Sequence, residues 1–455
     1  MDKEYKDNIE LFENTPVPKA VLSMAVPMIV AQLIILIYNM ADTFFIGRAN
    51  DPYMVAGASL ILPIYNVCIA VANIAGVGGG TLVARLLGRR QGEEARRVAS
   101  FSMRFSLLGG LLFAALTAVF MSPLLRLLGA SGETFDFARQ YALCVIVCGA
   151  PPTVLGMTMG NLLRNVGCAK QAGFGVSMGG VLNIFLDPLF MFVLLPPGHE
   201  ILGAGIATAL SNYIICAYMF LVIARLKNPV LTLSQRVGLP GAAQLRSFFA
   251  VGLPAAAGPF LFDLDYIVID RLMASYSDMA LAAVGIVLKV ERLPLNVGIG
   301  LCLGMVPLAA YNYSAGKRRR MDEIVRFTRR TGIAIALVSI LLYELFASGL
   351  IRVFLDDAVT VGYGARFLRI RAPATIVMFL SFIYVHFFQA VGQGGRALEL
   401  IVLRWALVNI PMLFLLNALF GLYGIVWAQL VSDVIVASVS ALVYRNFRKR
   451  TVPEA

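Results

Sequence analysis

The chain has 455 residues, 59% of them hydrophobic and only 14% charged, with a net charge of +12. A soluble domain is about 45–50% apolar and about 25% charged, so this composition excludes a soluble multi-domain enzyme; it equally excludes disorder, which needs low hydrophobicity. The basic excess points either to nucleic acid or to a membrane protein, whose Lys and Arg collect on one side of the bilayer.

Residues 1–18 carry Lys, Asp and Glu throughout and have no apolar core of a cleavable signal peptide. After them come twelve apolar runs, each long enough for a helix to cross a bilayer, which takes about 20 residues. They are Lys19–Ile46, Met54–Ala84, Ser100–Leu128, Ala138–Leu163, Ala172–Leu195, Gly203–Leu226, Leu245–Met273, Leu281–Leu308, Thr328–Phe354, Val361–Ala390, Ala397–Leu419 and Tyr423–Tyr444. Gly and Pro inside them are ordinary for membrane helices, whose neighbours satisfy the freed backbone groups. The fold expected is an all-α membrane protein with two six-helix lobes. The expected divisions are a cytoplasmic segment 1–18, a first lobe 19–227, a cytoplasmic linker 228–244, a second lobe 245–446 and a cytoplasmic tail 447–455.

With the amino terminus inside, the inner connections hold Arg85, Arg89, Arg90, Arg96, Arg97 and Arg104, then Arg225, Lys227, Arg236 and Arg246, then Lys317–Arg320, Arg326, Arg329 and Arg330. The tail adds Arg445, Arg448, Lys449 and Arg450, whereas outer connections hold few basic residues. This asymmetry predicts both termini in the cytoplasm of a bacterial inner-membrane protein. It also accounts for the charge without nucleic acid, since no aromatic–basic interleaving of the RNA-binding kind occurs. The six cysteines, Cys68, Cys144, Cys148, Cys168, Cys216 and Cys302, form no CxxC pair and read as small packing residues.

The halves repeat. Gly203-x-x-x-Ala207-x-x-x-Ser211 recurs as Gly424-x-x-x-Ala428-x-x-x-Ser432, Gly88-Arg89-Arg90 as Gly316-Lys317-Arg318, and Pro27 as Pro254. Each half has six spans, so the copies share one orientation, a parallel repeat about an axis along the membrane normal. The run Gly76-Val77-Gly78-Gly79-Gly80 lacks the Lys-Ser/Thr of a phosphate loop and reads as a site of close helix approach. No nucleotide motif or HExxH is present, and Gly175-Val176-Ser177-Met178-Gly179 lies inside an apolar run rather than on a hydrolase's strand-to-helix elbow, so no enzymatic activity, cofactor or structural metal is expected.

Ionisable groups inside spans cost at least about 2.5–3.5 kcal/mol each and mark function. Asp42 in the first span, Asn183 and Asp187 in the fifth and Thr208 in the sixth all fall in the outer half of the membrane, within roughly two helical turns of depth at about 1.5 Å per residue. Asn183 and Asp187 are four apart and share a helix face. These oxygens could bind a hard cation or share a proton between two carboxylates. In the other half Asp263, Asp265 and Asp270 lie on the seventh span and Lys289, Glu291 and Arg292 on the eighth. Asp263 and Asp265 are roughly 200° apart around the helix and cannot face one partner. The second-half charges either neutralise one another or line a cavity wall that contacts substrate or relays protons. His386 and Gln389 could join either arrangement, and Gln32, Tyr38 and Asn161 are further candidates for the cavity or relay.

The chain resembles the multidrug and toxic compound extrusion (MATE) family, in its MepA-like bacterial branch. The resemblance rests on Ala25-Val26-Pro27 through Tyr38-Asn39-x-x-Asp42-Thr43-Phe44-Phe45-Ile46-Gly47, on Asn183-Ile184-Phe185-Leu186-Asp187-Pro188-Leu189-Phe190, on Gly203-Ala204-Gly205-Ile206-Ala207-Thr208, and on Pro307 with Tyr311-Asn312-Tyr313-x-Ala315-Gly316-Lys317. It implies two lobes in a V around a cavity open alternately to each side. It implies a monomer that antiports amphipathic, mostly cationic compounds against inward protons or sodium ions. The family's cation-site residues fall on Asp42, Asn183, Asp187 and Thr208, and Pro27 matches a hinge proline. The alternative within the broader superfamily is a lipid-linked oligosaccharide flippase, for which Lys289 and Arg292 would supply cationic cavity groups.

Overall fold

The computed structural model describes residues 3–49, 51–226, 228–232 and 237–451, and every regular element among them is helical. In the first half these are α1 Lys3–Glu13, α2 Val17–Arg48, α3 Pro52–Gly88, α4 Gly92–Val119, α5 Met121–Leu127, α6 Gly132–Ala142, α7 Ala150–Asn165, α8 Ala169–Leu189 and α9 Glu200–Arg225. The second half has α10 Ala242–Ala274, α11 Asp278–Ser314, α12 Arg318–Arg352, α13 Ala358–Arg371, α14 Ala374–Ala390, α15 Gly394–Val402, α16 Ile410–Phe420 and α17 Leu422–Thr451. Wider π-helical turns at Leu143–Cys148, Phe190–Leu194 and Leu403–Asn409 continue three of the spans.

All twelve predicted runs are present. Ten are single spans by length and composition, and two are bent pairs, Gly132–Cys148 with Ala150–Asn165 at 46° and Ala358–Arg371 with Ala374–Ala390 at 51°. Pro151 and Pro152 open α7 and Pro373 precedes α14, so each bend falls where proline removes a backbone donor. These are the fourth and tenth spans, the same place in each half, which bears out the duplication. The repeated Gly-Ala-Ser rows are buried in both copies. Gly203 lies against the backbone of Phe190 and Met191, and Gly424 against that of Leu416 and Asn417.

The lobes meet along two helix pairs, α2 with α11 and α3 with α10. A Cβ on Gly304 would stand 2.5 Å from the Ala25 Cα, one on Gly300 2.6 Å from the Ile29 Cα, and one on Gly78 2.5 Å from the Phe248 carbonyl. Lipid chains are as apolar as Leu, so such close backbone approach, rather than hydrophobicity, holds membrane helices together. The glycine run is accordingly packed on several sides, Gly76 against Asn161, Gly78 against Gly252, Gly79 against Ser102 and Gly80 against Asn165. Towards the opposite end these four helices are less covered. Leu62 of α3 is 60% exposed and Ile267 of α10 62%, and Ile37 of α2 is 55% exposed and Leu293 of α11 54%. The molecule is thus a V, closed at the end that carries α1.

α1 lies across that closed end. Phe12 is 1% exposed and stacks on Tyr311 at 5.1 Å. The carbonyls that end α1 are capped from the second lobe: Asn312 donates to the Phe12 carbonyl at 3.1 Å, and Arg320 donates to the same oxygen at 2.9 Å and to that of Thr15. Glu13 pairs with Lys317 at 3.0 Å and with Arg90 at 3.1 Å. Arg90 and Lys317 stand in the two loops that the sequence repeat pairs, so a single carboxylate ties the two copies together.

Candidate functional site

The first-lobe cluster is set by helix register. Gly173 of α8 lies against Pro27 of α2, and Gly180 lies against Ile34 and Tyr38. The helices run side by side, and the same offset brings Asp187 level with Asp42. Asn183 Nδ2 donates to Asp187 Oδ1 at 3.1 Å, and these two side chains are 3% and 0% exposed. Asp42 is near enough for its charge to act on Asp187. Tyr38, Tyr65 and Tyr141 close the surroundings, each within reach of the Asp42 charge, and the Tyr65 hydroxyl stands beside Asn212 and Thr153. Thr208 is half-buried on α9, and none of the described hydrogen bonds joins it to the other three.

Asp42 Oδ1, Asp187 Oδ2 and Asn183 Oδ1 are all buried and have no hydrogen-bond partner in the protein. Buried polar atoms are almost always satisfied, and all three of these are acceptors. Such a cluster lacks positive charge or donor hydrogens, which a proton on a carboxylate, a hard cation or a hydrated cation would supply. Two carboxylates, an amide and nearby hydroxyls suit a hard cation; among the described residues no group of three or more His, Cys, Asp or Glu comes together.

The second-lobe charges take partners other than one another. Asp263 and Asp265 do face apart: Asp263 accepts from Asn66 of the first lobe at 2.5 Å, and Asp265 accepts from Asn409 at 2.6 Å. Glu291 is not neutralised by Lys289 or Arg292. It takes a two-pronged contact from Arg371, 2.8 Å to each oxygen. Arg404 pairs with Asp433 at 3.0 Å and lies over Phe382 and Trp405, while Gln429 donates to Asp433 at 2.7 Å. Asp265, Glu291, Arg371, Arg404, Gln429 and Asp433 enclose a cavity of about 40 Å³, room for a few water molecules. Lys289 and Asp270 are exposed, and Arg292 sits over the Tyr266 ring at 5.5 Å.

The remaining candidates are scattered. Asn161 accepts from Arg164 and donates to the Met157 carbonyl at 2.9 Å, inside the α3–α7 packing. His386 Nδ1 is 2.8 Å from the Phe382 carbonyl, Gln389 is buried, and Gln32 is half-buried on α2. Neither Gln32 nor His386 joins the first-lobe cluster. The residues that the sequence did not single out are Tyr65, Tyr141, Arg371, Arg404, Asn409 and Asp433. Arg404 and Asp433 carried a signal, each being a charge within an apolar run.

A family model described as MatE matches the chain twice, over residues 27–189 and 254–415. The two matches start at Pro27 and Pro254, the prolines already paired by the repeat. The multidrug export protein MepA of Staphylococcus saprophyticus is 32% identical over 450 residues, covering 99% of this chain and 98% of its own. The protein of the same name in Staphylococcus aureus strain N315 is 30% identical over 445 residues, covering 98% and 97%. Among solved structures, one described as the outward-facing conformation of a multidrug resistance MATE family transporter superposes with a TM-score of 0.92 at 23% identity, covering 98% of both chains. Another, a MATE in complex with MaL6, gives 0.93 at 22%, covering 99% of both.

Proposed function

The chain belongs to the MatE family, and from that premise we propose that it is a secondary active exporter of amphipathic, mostly cationic organic compounds, driven by inward protons or sodium ions through alternating access. The observation that carries the coupling is the cluster of buried, partnerless acceptor oxygens on Asp42, Asn183 and Asp187. A cation or proton taken up there stabilises one arrangement of α2 against α8, and Pro27, packed on Gly173, is where α2 yields. A compound bound in the cleft stabilises the other arrangement, and the two affinities are linked reciprocally.

The relatives' names, multidrug export proteins, favour drugs over a lipid-linked oligosaccharide. In this reading the protein works as a monomer in the bacterial inner membrane, with α1 and the basic loops in the cytoplasm. It carries out no covalent chemistry and needs no cofactor beyond the coupling ion. Proteoliposomes under a proton gradient alone and a sodium gradient alone test it with ethidium, a permanently charged fluorescent cation. Movement driven by either gradient supports the reading and names the ion. Ethidium that moves under neither refutes it.

A further inference from the structure

At the closed end Gly88, the last residue of α3, abuts the Tyr311 carbonyl of α11, so the lobes meet there backbone to backbone. The ring of the same Tyr311 carries the Phe12 stack, which places α1 over this seam. α1 grips both sides of the seam, but unequally. On the second lobe, Asn312 and Arg320 donate to the Phe12 carbonyl at 3.1 and 2.9 Å, Arg320 also holds the Thr15 carbonyl, and Phe12 itself is buried. On the first lobe, Asn8 packs on Gly167 and donates to the Cys168 sulfur at 3.4 Å, and Glu13 pairs with Arg90, which is 75% exposed. Bonds from a guanidinium are charge-assisted and strong. A thiol sulfur is a weak acceptor, and an exposed ion pair contributes little. The grip is therefore firm on the second lobe and weak on the first. The link to α2 is Asn14–Pro16, which extends to about 10 Å, so α1 can stay with the second lobe while the foot of α2 moves with the first.

Alternating access requires this seam to part, and the unequal grip decides where. We propose that α1 is a latch on the closed end: it rides with the second lobe, and the molecule opens on that side only when Asn8 leaves its seat on Gly167 and Cys168 and Glu13 releases Arg90. This rests on the reading of the chain as an alternating-access exporter. It places a second control on the cycle, at the opposite end of α2 from the coupling cluster. The latch holds through side chains that the substrate and the coupling ion never touch, so its strength sets how readily the closed end opens without altering either binding site.

The test fastens α1 to each lobe in turn. Asn8→Cys places a thiol beside the native Cys168, and oxidation joins α1 to the first lobe; the other native cysteines are replaced by alanine. In a second protein, with every native cysteine replaced, Glu13→Cys and Lys317→Cys are joined by a short disulfide-containing linker, which ties α1 to the second lobe. Gradient-driven ethidium movement in proteoliposomes is followed before joining, after joining and after dithiothreitol. Fastening to the first lobe should stop movement, dithiothreitol should restore it, and ethidium binding should persist throughout because the cleft stays open. Fastening to the second lobe should leave movement at its unjoined rate. Movement that continues with α1 fastened to the first lobe, or that stops equally with α1 fastened to the second, would overturn the latch and leave the export reading in place. Spin labels give the answer without transport. Glu10, Lys170 and Arg319 are exposed. As pH and sodium are varied, labels on Glu10→Cys and Lys170→Cys should show two distances, and labels on Glu10→Cys and Arg319→Cys one. The reverse would overturn the latch. Wild-type protein that moved ethidium under neither gradient would refute the export reading, and the spin-label distances would then decide the latch alone.

Discussion

Glu13→Gln tests what holds the V shut at its base. The amide oxygen can still accept from the Tyr311 hydroxyl, and the Phe12–Tyr311 stack is untouched, so the substitution isolates the two ion pairs. Lys317 is 38% exposed and Arg90 75% exposed, against 14% for Glu13. Exposed pairs of this kind contribute about 0.2–1 kcal/mol each. Losing both therefore costs about 1 kcal/mol, which multiplies the undocked population of α1 about fivefold. A native thiol reports on that population. Cys168 is 2% exposed and accepts a contact from Asn8 of α1 at 3.4 Å, so undocking of α1 uncovers it. Alkylation of Cys168, followed by mass spectrometry under conditions where docking and undocking are fast compared with alkylation, should be about fivefold faster in Glu13→Gln. Wild-type labelling should quicken as salt screens the pairs. A correctly folded Glu13→Gln protein whose Cys168 reacts at the wild-type rate would refute the idea that these charges hold α1 down.

The same contact has a pH dependence. Burial raises the Glu13 pKa, but the bonds from Tyr311 and Lys317 and the charges of Lys317 and Arg90 outweigh it and hold the group below its usual 4.5. Its contribution is therefore complete above the ordinary carboxylate range and is lost as pH falls through the lowered docked value, so Cys168 labelling, divided at each pH by that of the unfolded chain to remove the thiol's own loss of thiolate, should rise only in acid. Gly304→Val places a side chain where a Cβ alone stands 2.5 Å from the Ala25 Cα; distances between spin labels across the α1 face should lengthen, and an unchanged distribution would contradict the closed packing. Arg404→Met leaves Asp433, 1% exposed, with Gln429 as its remaining donor. It should cost about 3–5 kcal/mol of stability, and Arg404→Met with Asp433→Leu should recover most of that in thermal unfolding in detergent. Equal losses in the single and double variants would contradict the pairing.

The spans were legible because a bilayer demands long apolar runs, and the repeat because buried small residues kept their spacing. Asn183 and Asp187 could be joined from sequence because they share one helix face, and Asp42 by counting depth along its span. What sequence could not supply was partnership across distance. Glu291 meets Arg371, eighty positions later, rather than the nearby Lys289 or Arg292, because an eighth-span side chain facing the second lobe's interior meets the bend of the tenth span. Arg371 reads in sequence as one more basic residue beside Arg366 and Arg369 within the tenth run, and that bend folds it inward. α1 was hidden for a related reason: Glu13, one of the charges that made its segment look like a solvated tail, is a residue that docks it, against Arg90 and Lys317. Asp263 and Asp265 could be separated by angle alone, but which of them faced the other lobe depended on the register of α3 against α10.

The coupling role of Asp42 and Asp187 is tested most directly by gradient-driven ethidium efflux from proteoliposomes, with wild type beside Asp42→Asn plus Asp187→Asn. The double variant should still bind ethidium, because its cleft is intact, but should no longer move it in response to the driving gradient. Efflux that followed the gradient at the wild-type rate in the double variant would contradict the assignment.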